Sequence, residues 1–157
     1  MAFGVKTVMH EPLVTALERV RQALAENGLD VVTETNITAA LQGYSAGAVP
    51  EQIVLGVVSS VLALAVARAE PSVGLLLPWN VVVRAGGDDL AYVEAMDPVV
   101  MVALTGDPHL EPVAHQVTER LRAAFRLLAD SDPAALGTGT AGPGRTGGAG
   151  RPATALP

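Results

Sequence analysis

Apolar residues along the first 130 positions fall into two alternating spacings. Val5 to His10 alternates loosely, which predicts a strand. Leu13, Ala16, Leu17, Val20 and Leu24 then recur at helical spacing, with Glu18, Arg19, Arg21, Gln22 and Glu26 on the opposite face. Pro12 sits where a first helical turn tolerates proline, and Asn27-Gly28 supplies the stop. Leu29 to Thr35 predicts a second strand, after which Asn36 caps a short helix through Leu41 that Gly43 ends. Tyr44 to Pro50 is a loop, and Gln52 to Val58 is a third strand, apolar enough to be buried.

Ser59 or Ser60 is placed to cap a third helix reaching about Ala69, before Pro71. Val73 to Leu77 and Trp79 to Arg84 are expected to be strands meeting at Pro78, a residue that cannot donate to a ladder. Ala85 to Asp89 forms a turn, and Leu90 to Ala95 returns antiparallel. Asp97-Pro98 opens a short helix through Leu104, and Gly106 ends it. Asp107-Pro108 starts the longest helix, to about Ala129. Helices and antiparallel strands mixed without strict alternation predict an α+β class: a single, largely antiparallel sheet covered by helices.

Composition sets the boundaries of that domain. Residues 1–130 form the α+β unit, and residues 131–157 are expected to be a disordered tail rich in Gly, Pro and Ala. From Gly137 onward too few apolar side chains remain to offset ordering entropy. The segment Gln52 to Ala67 carries no charge and tempts a membrane reading. As a helix it would reach only about 24 Å against a hydrocarbon core of roughly 30 Å, so it is expected to be buried core. Met1 to Lys6 lacks a charged stretch followed by an apolar run, so no secretory signal is expected, and the chain is assigned to the cytoplasm.

Charge and residue types then remove several classes of function. The formal net charge is −6, and the Lys and Arg residues form no stripe along the sequence, so neither nucleic acid nor an anionic membrane is an expected partner. The chain has no cysteine, which excludes disulfides, thiolate metal sites and thiol nucleophiles. His109 and His115 are six apart on a predicted helix and share no face, and His10 ends a strand, so no metal site and no cofactor are expected. Asp88 and Asp89 fit turn chemistry, while Asp97 and Asp107 fit helix capping. Ser59-Ser60 lies at a strand-to-helix junction without the Gly-x-Ser-x-Gly elbow of a nucleophile.

Several stretches in order carry a family likeness: Ala16-Leu17-Glu18-Arg19-Val20, Ile53-Val54-Leu55-Gly56, Gly74-Leu75-Leu76-Leu77-Pro78, Asn80-Val81-Val82-Val83 and Met96-Asp97-Pro98, followed by Met101 and Gly106-Asp107-Pro108. In these the chain, over about residues 3–129, resembles the family called domain of unknown function 302. The resemblance implies a small α+β domain, one sheet covered by helices, paired as a homodimer. Many members look like Leu-Gly-Ala-Cys-Asn-Pro after the third strand and Leu-Pro-Cys-Asn in the later one. Here Val58 and Trp79 stand at the cysteine positions and Ser59-Ser60 at the Asn-Pro pair, so thiol chemistry does not carry over. A Val and a Trp there could instead fill a pocket.

Asn80 and Arg84 are the polar residues set within an apolar run, and period two puts Asn80, Val82 and Arg84 on one face. Lining a cavity, Asn80 would orient a small ligand and Arg84 would pair with its carboxylate or phosphate. In the plainer reading, Asn80 bonds the bend at Pro78 and Arg84 reaches solvent or Glu94 across the hairpin. Two functions remain open. One is a non-catalytic small-ligand-binding or dimerisation module, its lining Trp79, Asn80, Val82 and Arg84, with Val58 and Ser59 nearby by family analogy. The alternative is an acid–base enzyme acting on a small molecule, using Asp97 or Glu34 with His10 or His109.

Overall fold

The computed structural model describes residues 4–45, 49–69 and 71–130. The expectation for the tail, and part of that for the loop after Gly43, therefore lie outside the described residues. Five strands form one sheet: β1 (Gly4–Met9), β2 (Asp30–Asn36), β3 (Gln52–Val58), β4 (Trp79–Gly87) and β5 (Leu90–Met96). Their order across the sheet is β1-β5-β4-β3-β2, and every neighbouring pair is antiparallel. The predicted α+β class and antiparallel sheet are what the structure has.

One face of the sheet carries the core. Helix α1 (Leu13–Glu26) joins β1 on one edge to β2 on the other, packing its buried stripe of Leu13, Ala16, Leu17, Val20, Ala23 and Leu24 against that face. The long helix α5 (Glu111–Asp130) lies alongside α1 and over β1. Val117, Leu121, Ala124, Phe125 and Leu128 meet Leu55, Val57, Trp79, Val81, Val83 and Val93 in the main core. Each large aliphatic buried there contributes about 1.5–3 kcal/mol. With so few aromatic residues, that core rests on many branched side chains rather than a few rings.

Polar contacts fix the two helices relative to each other. Arg19 donates to Glu11 at 2.6 Å and reaches the Leu128 carbonyl at 3.5 Å. At the end of α1 the chain turns through Gly28 at φ 67, and Leu29 N–H returns to the Leu24 carbonyl. Arg120 of α5 donates to the exposed Gly28 carbonyl at 3.1 Å, its guanidinium occupying the space a side chain at position 28 would need.

A smaller core gathers the remaining elements: α3 (Ser60–Ala69), a 3-10 helix over Pro71–Leu76, α4 (Val99–Thr105) and a 3-10 turn over Pro108–Leu110. Val66, Val73, Met101, Leu110 and Ala114 are its buried members. The short helix α2 (Ile37–Ser45) forms part of the β2–β3 connection. Asn36 accepts from Ala39 N–H at 2.8 Å, Asp97 from Val99 N–H at 3.0 Å and Asp107 from His109 N–H at 2.9 Å, so all three cap as their positions predict.

Several expectations need correction. Helix α2 is not ended by Gly43 but runs to Ser45, and β4 extends to Gly87, so the hairpin turn narrows to Asp88 and Asp89. Val73 to Leu77 is not a strand: Pro71–Leu76 winds as a 3-10 helix whose one buried residue, Val73, drops into the smaller core. The run Val-Gly-Leu-Leu-Leu suits either state, and packing on α3 decides it. The final helix begins one 3-10 turn later than Asp107-Pro108 suggests. Gln52 to Ala67 is only partly core, because Val61 is 77% and Leu64 53% exposed while Leu62 and Val66 are buried.

Candidate functional site

The face of the sheet opposite the helices is the open one, and the strand registers set its rows. Val8, Tyr92, Arg84 and Gln52 lie side by side in one row. Lys6, Glu94, Val82, Val54 and Thr35 form the next. Asn80, Gly56 and Thr33 stand in a third, with Met96 across from Gly4. Lys6, Val8, Thr33, Thr35, Asn80 and Met96 are exposed there, and Val54, Val82 and Tyr92 are half-buried.

The period-two expectation for β4 holds: Trp79, Val81 and Val83 are buried, while Asn80 is exposed and Val82 and Arg84 are half-buried on the other face. It follows that the proposed lining does not converge as a set. Trp79 pairs with Val57 on the helix side and sits in the main core, 1% exposed. Strand alternation turns Val58 to the open side, so the suggested Val58–Trp79 filling contact is not formed; the neighbour of Trp79 is Val57. Ser59 is buried between β3 and α3, and its carbonyl accepts from Ala63 N–H at 2.7 Å. Ser60 donates its hydroxyl to Asp30 at 3.0 Å. Asn80, Val82 and Arg84 alone share the open face with Val58.

An ion-pair ladder crosses that face. Lys6 Nζ lies 2.9 Å from Glu94 Oε1, and Arg84 Nη2 lies 3.5 Å from Glu94 Oε2. The guanidinium of Arg84 also stacks over the Tyr92 ring, 5.0 Å from its centroid. Arg84 therefore reaches Glu94 across the hairpin, as its plainer reading had it. The hydrogen bond from Lys6 is the main cause that lowers the Glu94 pKa; slight burial opposes it, and the charges of Lys6 and Arg84 lower it further. Glu94 is an ionised strut rather than a proton donor at neutral pH. The Asn80 side chain is not hydrogen-bonded to the Pro78 bend among the described residues.

Residues weighed for acid–base chemistry are held apart by the topology. Glu34 lies on edge strand β2, paired with Arg21 of α1 at 2.6 Å. Asp97 follows β5, and its Oδ1 accepts from Val99 N–H and, at 2.7 Å, from the buried hydroxyl of Thr118. Strands β3 and β4 stand between the two carboxylates. His109 is exposed in the turn before α5. Among the described residues no three His, Asp or Glu side chains gather in a way that could hold a metal ion.

Cavities lie elsewhere. One of about 150 Å³ opens between α1 and α5 beside Arg19 and Leu128. A second of about 360 Å³ is lined by α2 with Val49 and Glu51, and a third of about 250 Å³ lies between β1 and α5. None of these three borders Asn80, Val82 or Arg84.

The model of the family "Domain of unknown function DUF302" matches residues 5–128. The chain belongs to that family. Among solved structures, it is similar to the crystal structure of an uncharacterised conserved DUF302 protein from Bacillus stearothermophilus, at a TM-score of 0.74 and 22% identity over 82% of this chain and 99% of that one. The likeness shows a shared DUF302 fold. No curated protein matches the chain. No helix among the described residues is long and apolar enough to cross a membrane.

Sequence reasoning had no signal for the rest of the open face. Thr33, Val54 and Lys6 are distant from β4 in sequence, and only the strand order β1-β5-β4-β3-β2 brings them onto one face with Arg84. The alternation within each strand gives two faces, but it leaves open which face the helices cover.

Proposed function

We propose that this DUF302 domain is a non-catalytic binding module that works as a homodimer through the open face of its sheet. The observation that carries this reading is the one-sided cover. Helices α1 and α5 bury one face, while the other exposes Val8 (40%) and Met96 (38%) beside half-buried Val54, Val82 and Tyr92. Lys6 and Arg84 both pair with Glu94 on that face, which leaves the cluster one positive charge in excess, a charge that a partner surface must leave hydrated at its rim or meet with a carboxylate. Asn80, Val82 and Arg84 then face the second copy, and a small ligand would be enclosed between the two sheets. Trp79 and Ser59 support the strand and the β3–α3 junction from behind.

Sedimentation velocity on the full chain tests the proposal. A dimer that becomes a monomer in the Val8→Glu/Met96→Glu double variant supports it. A wild-type monomer at tens of micromolar, or a dimer untouched by that variant, would count against the open face as the interface.

A further inference from the structure

We propose that the outer face of α3 is a second self-association surface, on which two copies pair antiparallel about a two-fold axis at Leu64. Ser60, Leu64 and Arg68 follow one another at four-residue steps, which advance only about 40° round a helix, with Val61 and Ala65 beside them. All five are exposed, Val61 at 77% and Leu64 at 53%. The opposite face of the helix is already occupied: Leu62 packs into the main core and Val66 into the smaller one. Helix α3 thus carries apolar side chains on its inner and outer faces alike, the pattern of a helix covered on both sides. It contacts α5 on the covered side of the sheet, so its outer ridge and the open face are separate surfaces.

Charges at the two ends of the ridge select a second copy as the occupant. Asp30 stands at its start, where Oδ2 accepts from the Ser60 hydroxyl at 3.0 Å. That carboxylate has no cation partner among the described residues, and Arg68, the one charged residue of α3, has no carboxylate partner there either. Residues 60 and 68 lie about 6 Å to either side of Leu64 along the helix axis. Antiparallel pairing at Leu64 therefore sets Arg68 of each copy against the Asp30–Ser60 end of the other, with Leu64 on Leu64 between the two ion pairs. Parallel pairing would set arginine against arginine. An anionic membrane is the poorer occupant, since Asp30 and a net charge of −6 oppose it. One ridge of ten residues buries far less than the roughly 800 Å² per partner of a standard interface, so the contact is weak alone. It links molecules already paired through the open face into larger species, and it does not depend on that pairing.

Sedimentation equilibrium on the full chain, from about 10 µM to about 1 mM, tests the contact. Expected is a species beyond the open-face dimer, forming with a Kd on the order of 100 µM. Leu64→Glu should weaken that step at least about tenfold. Asp30→Lys and Arg68→Glu should each weaken it several-fold, and the two together should restore it, because the reversed pair is again complementary. Thermal melting of each variant checks that the fold is kept. In the Val8→Glu/Met96→Glu background the expected species is a weak dimer that Leu64→Glu abolishes. A wild-type dimer that persists in Leu64→Glu and grows no further at 1 mM would overturn the α3 contact and leave the open-face reading standing. So would a double reversal that associates no better than either single one. A dimer lost in Leu64→Glu but untouched by Val8→Glu/Met96→Glu would support the α3 contact and sink the open-face reading. A chain that stays monomeric at 1 mM would overturn both.

Discussion

Trp79 and Asn80 are adjacent in the chain and lie back to back across the sheet. Trp79 pairs with Val57 on the helix face and is 1% exposed, while Asn80 pairs with Gly56 and is exposed on the open face. The same backbone therefore serves the core on one side and the open face on the other. A partner docked on the open face, as proposed, would meet Asn80, Val82 and Arg84 and would not touch Trp79.

Trp79 is the chain's single tryptophan, and its indole N–H has no acceptor among the described residues although it is fully buried. Replacing the ring with Phe removes an unpaired polar group while keeping most of the packing, so Trp79→Phe is expected to cost less than about 1.5 kcal/mol. Trp79→Ala leaves a cavity in the main core and should cost about 3–5 kcal/mol. Urea denaturation followed by far-UV circular dichroism measures both. The fluorescence of native Trp79 should be blue-shifted, and a ligand on the open face should barely quench it. Strong quenching on binding would put the ligand on the helix side instead.

The ladder Lys6–Glu94–Arg84 makes a pH-dependent contribution with a definite sign. The Glu94 pKa is lower folded than unfolded, chiefly through the Lys6 hydrogen bond. Its contribution is therefore complete above the unfolded carboxylate value of about 4.3, and fades as pH falls through the lower folded value. Both carboxylate and ammonium are solvated, which limits the gain to about 0.2–1 kcal/mol. Glu94→Gln should lose that much at pH 7 in low salt, with the gap to wild type closing in acid and in 1 M salt. A gap that persists unchanged at pH 2 would mean the Glu94 side chain stabilises by packing rather than charge.

Local rules made most of this fold legible. Caps at Asn36, Asp97 and Asp107, the Gly28 stop and the alternation of β4 each depend on residues within a few positions of one another, and each is found where those rules put it. Misreadings arose where a longer-range choice overrides local preference. Val73 to Leu77 is apolar enough for a strand, yet Val73 has a place in the smaller core and no neighbouring strand claims the segment. Trp79 belongs with Val81 and Val83 rather than with Asn80, because period two sends neighbouring residues of β4 to opposite faces. The groove at β1 is invisible in sequence, as Val5 and Phe125 are 120 positions apart and line it together only because α5 returns along the first strand.

Helix α3 offers a direct check on how its apolar residues are divided. Leu62 and Val66 are buried, whereas Val61 is 77% exposed, as is Leu75 of the 3-10 helix at 89%. Leu62→Ala should cost about 2–5 kcal/mol. Val61→Glu and Leu75→Glu should each stay within about 0.5 kcal/mol of wild type for an isolated protomer. Chemical denaturation at low protein concentration gives these values. A large loss at Val61 or Leu75 would show that α3 and the 3-10 helix are covered in the native assembly, making that side of the domain a contact surface in its own right.

Gly56 tests how tightly β3 is held between its neighbours. It lies in the row of Asn80 and Thr33, and a methyl group there would run into the Thr33 hydroxyl and the Pro78 ring, the latter at 2.6 Å. Pro78 closes over Gly56 immediately before β4 begins, so the clash cannot be relieved without moving the start of that strand. Gly56→Ala should therefore destabilise by about 1–3 kcal/mol, the cost of overpacking. Adding Thr33→Ala removes one of the two obstacles and should recover part of the loss but not all, since the proline remains. Thermal denaturation of the two single variants and the pair gives the coupling directly. Simple additivity would show that Thr33 does not crowd position 56, and full recovery that the Pro78 ring yields freely.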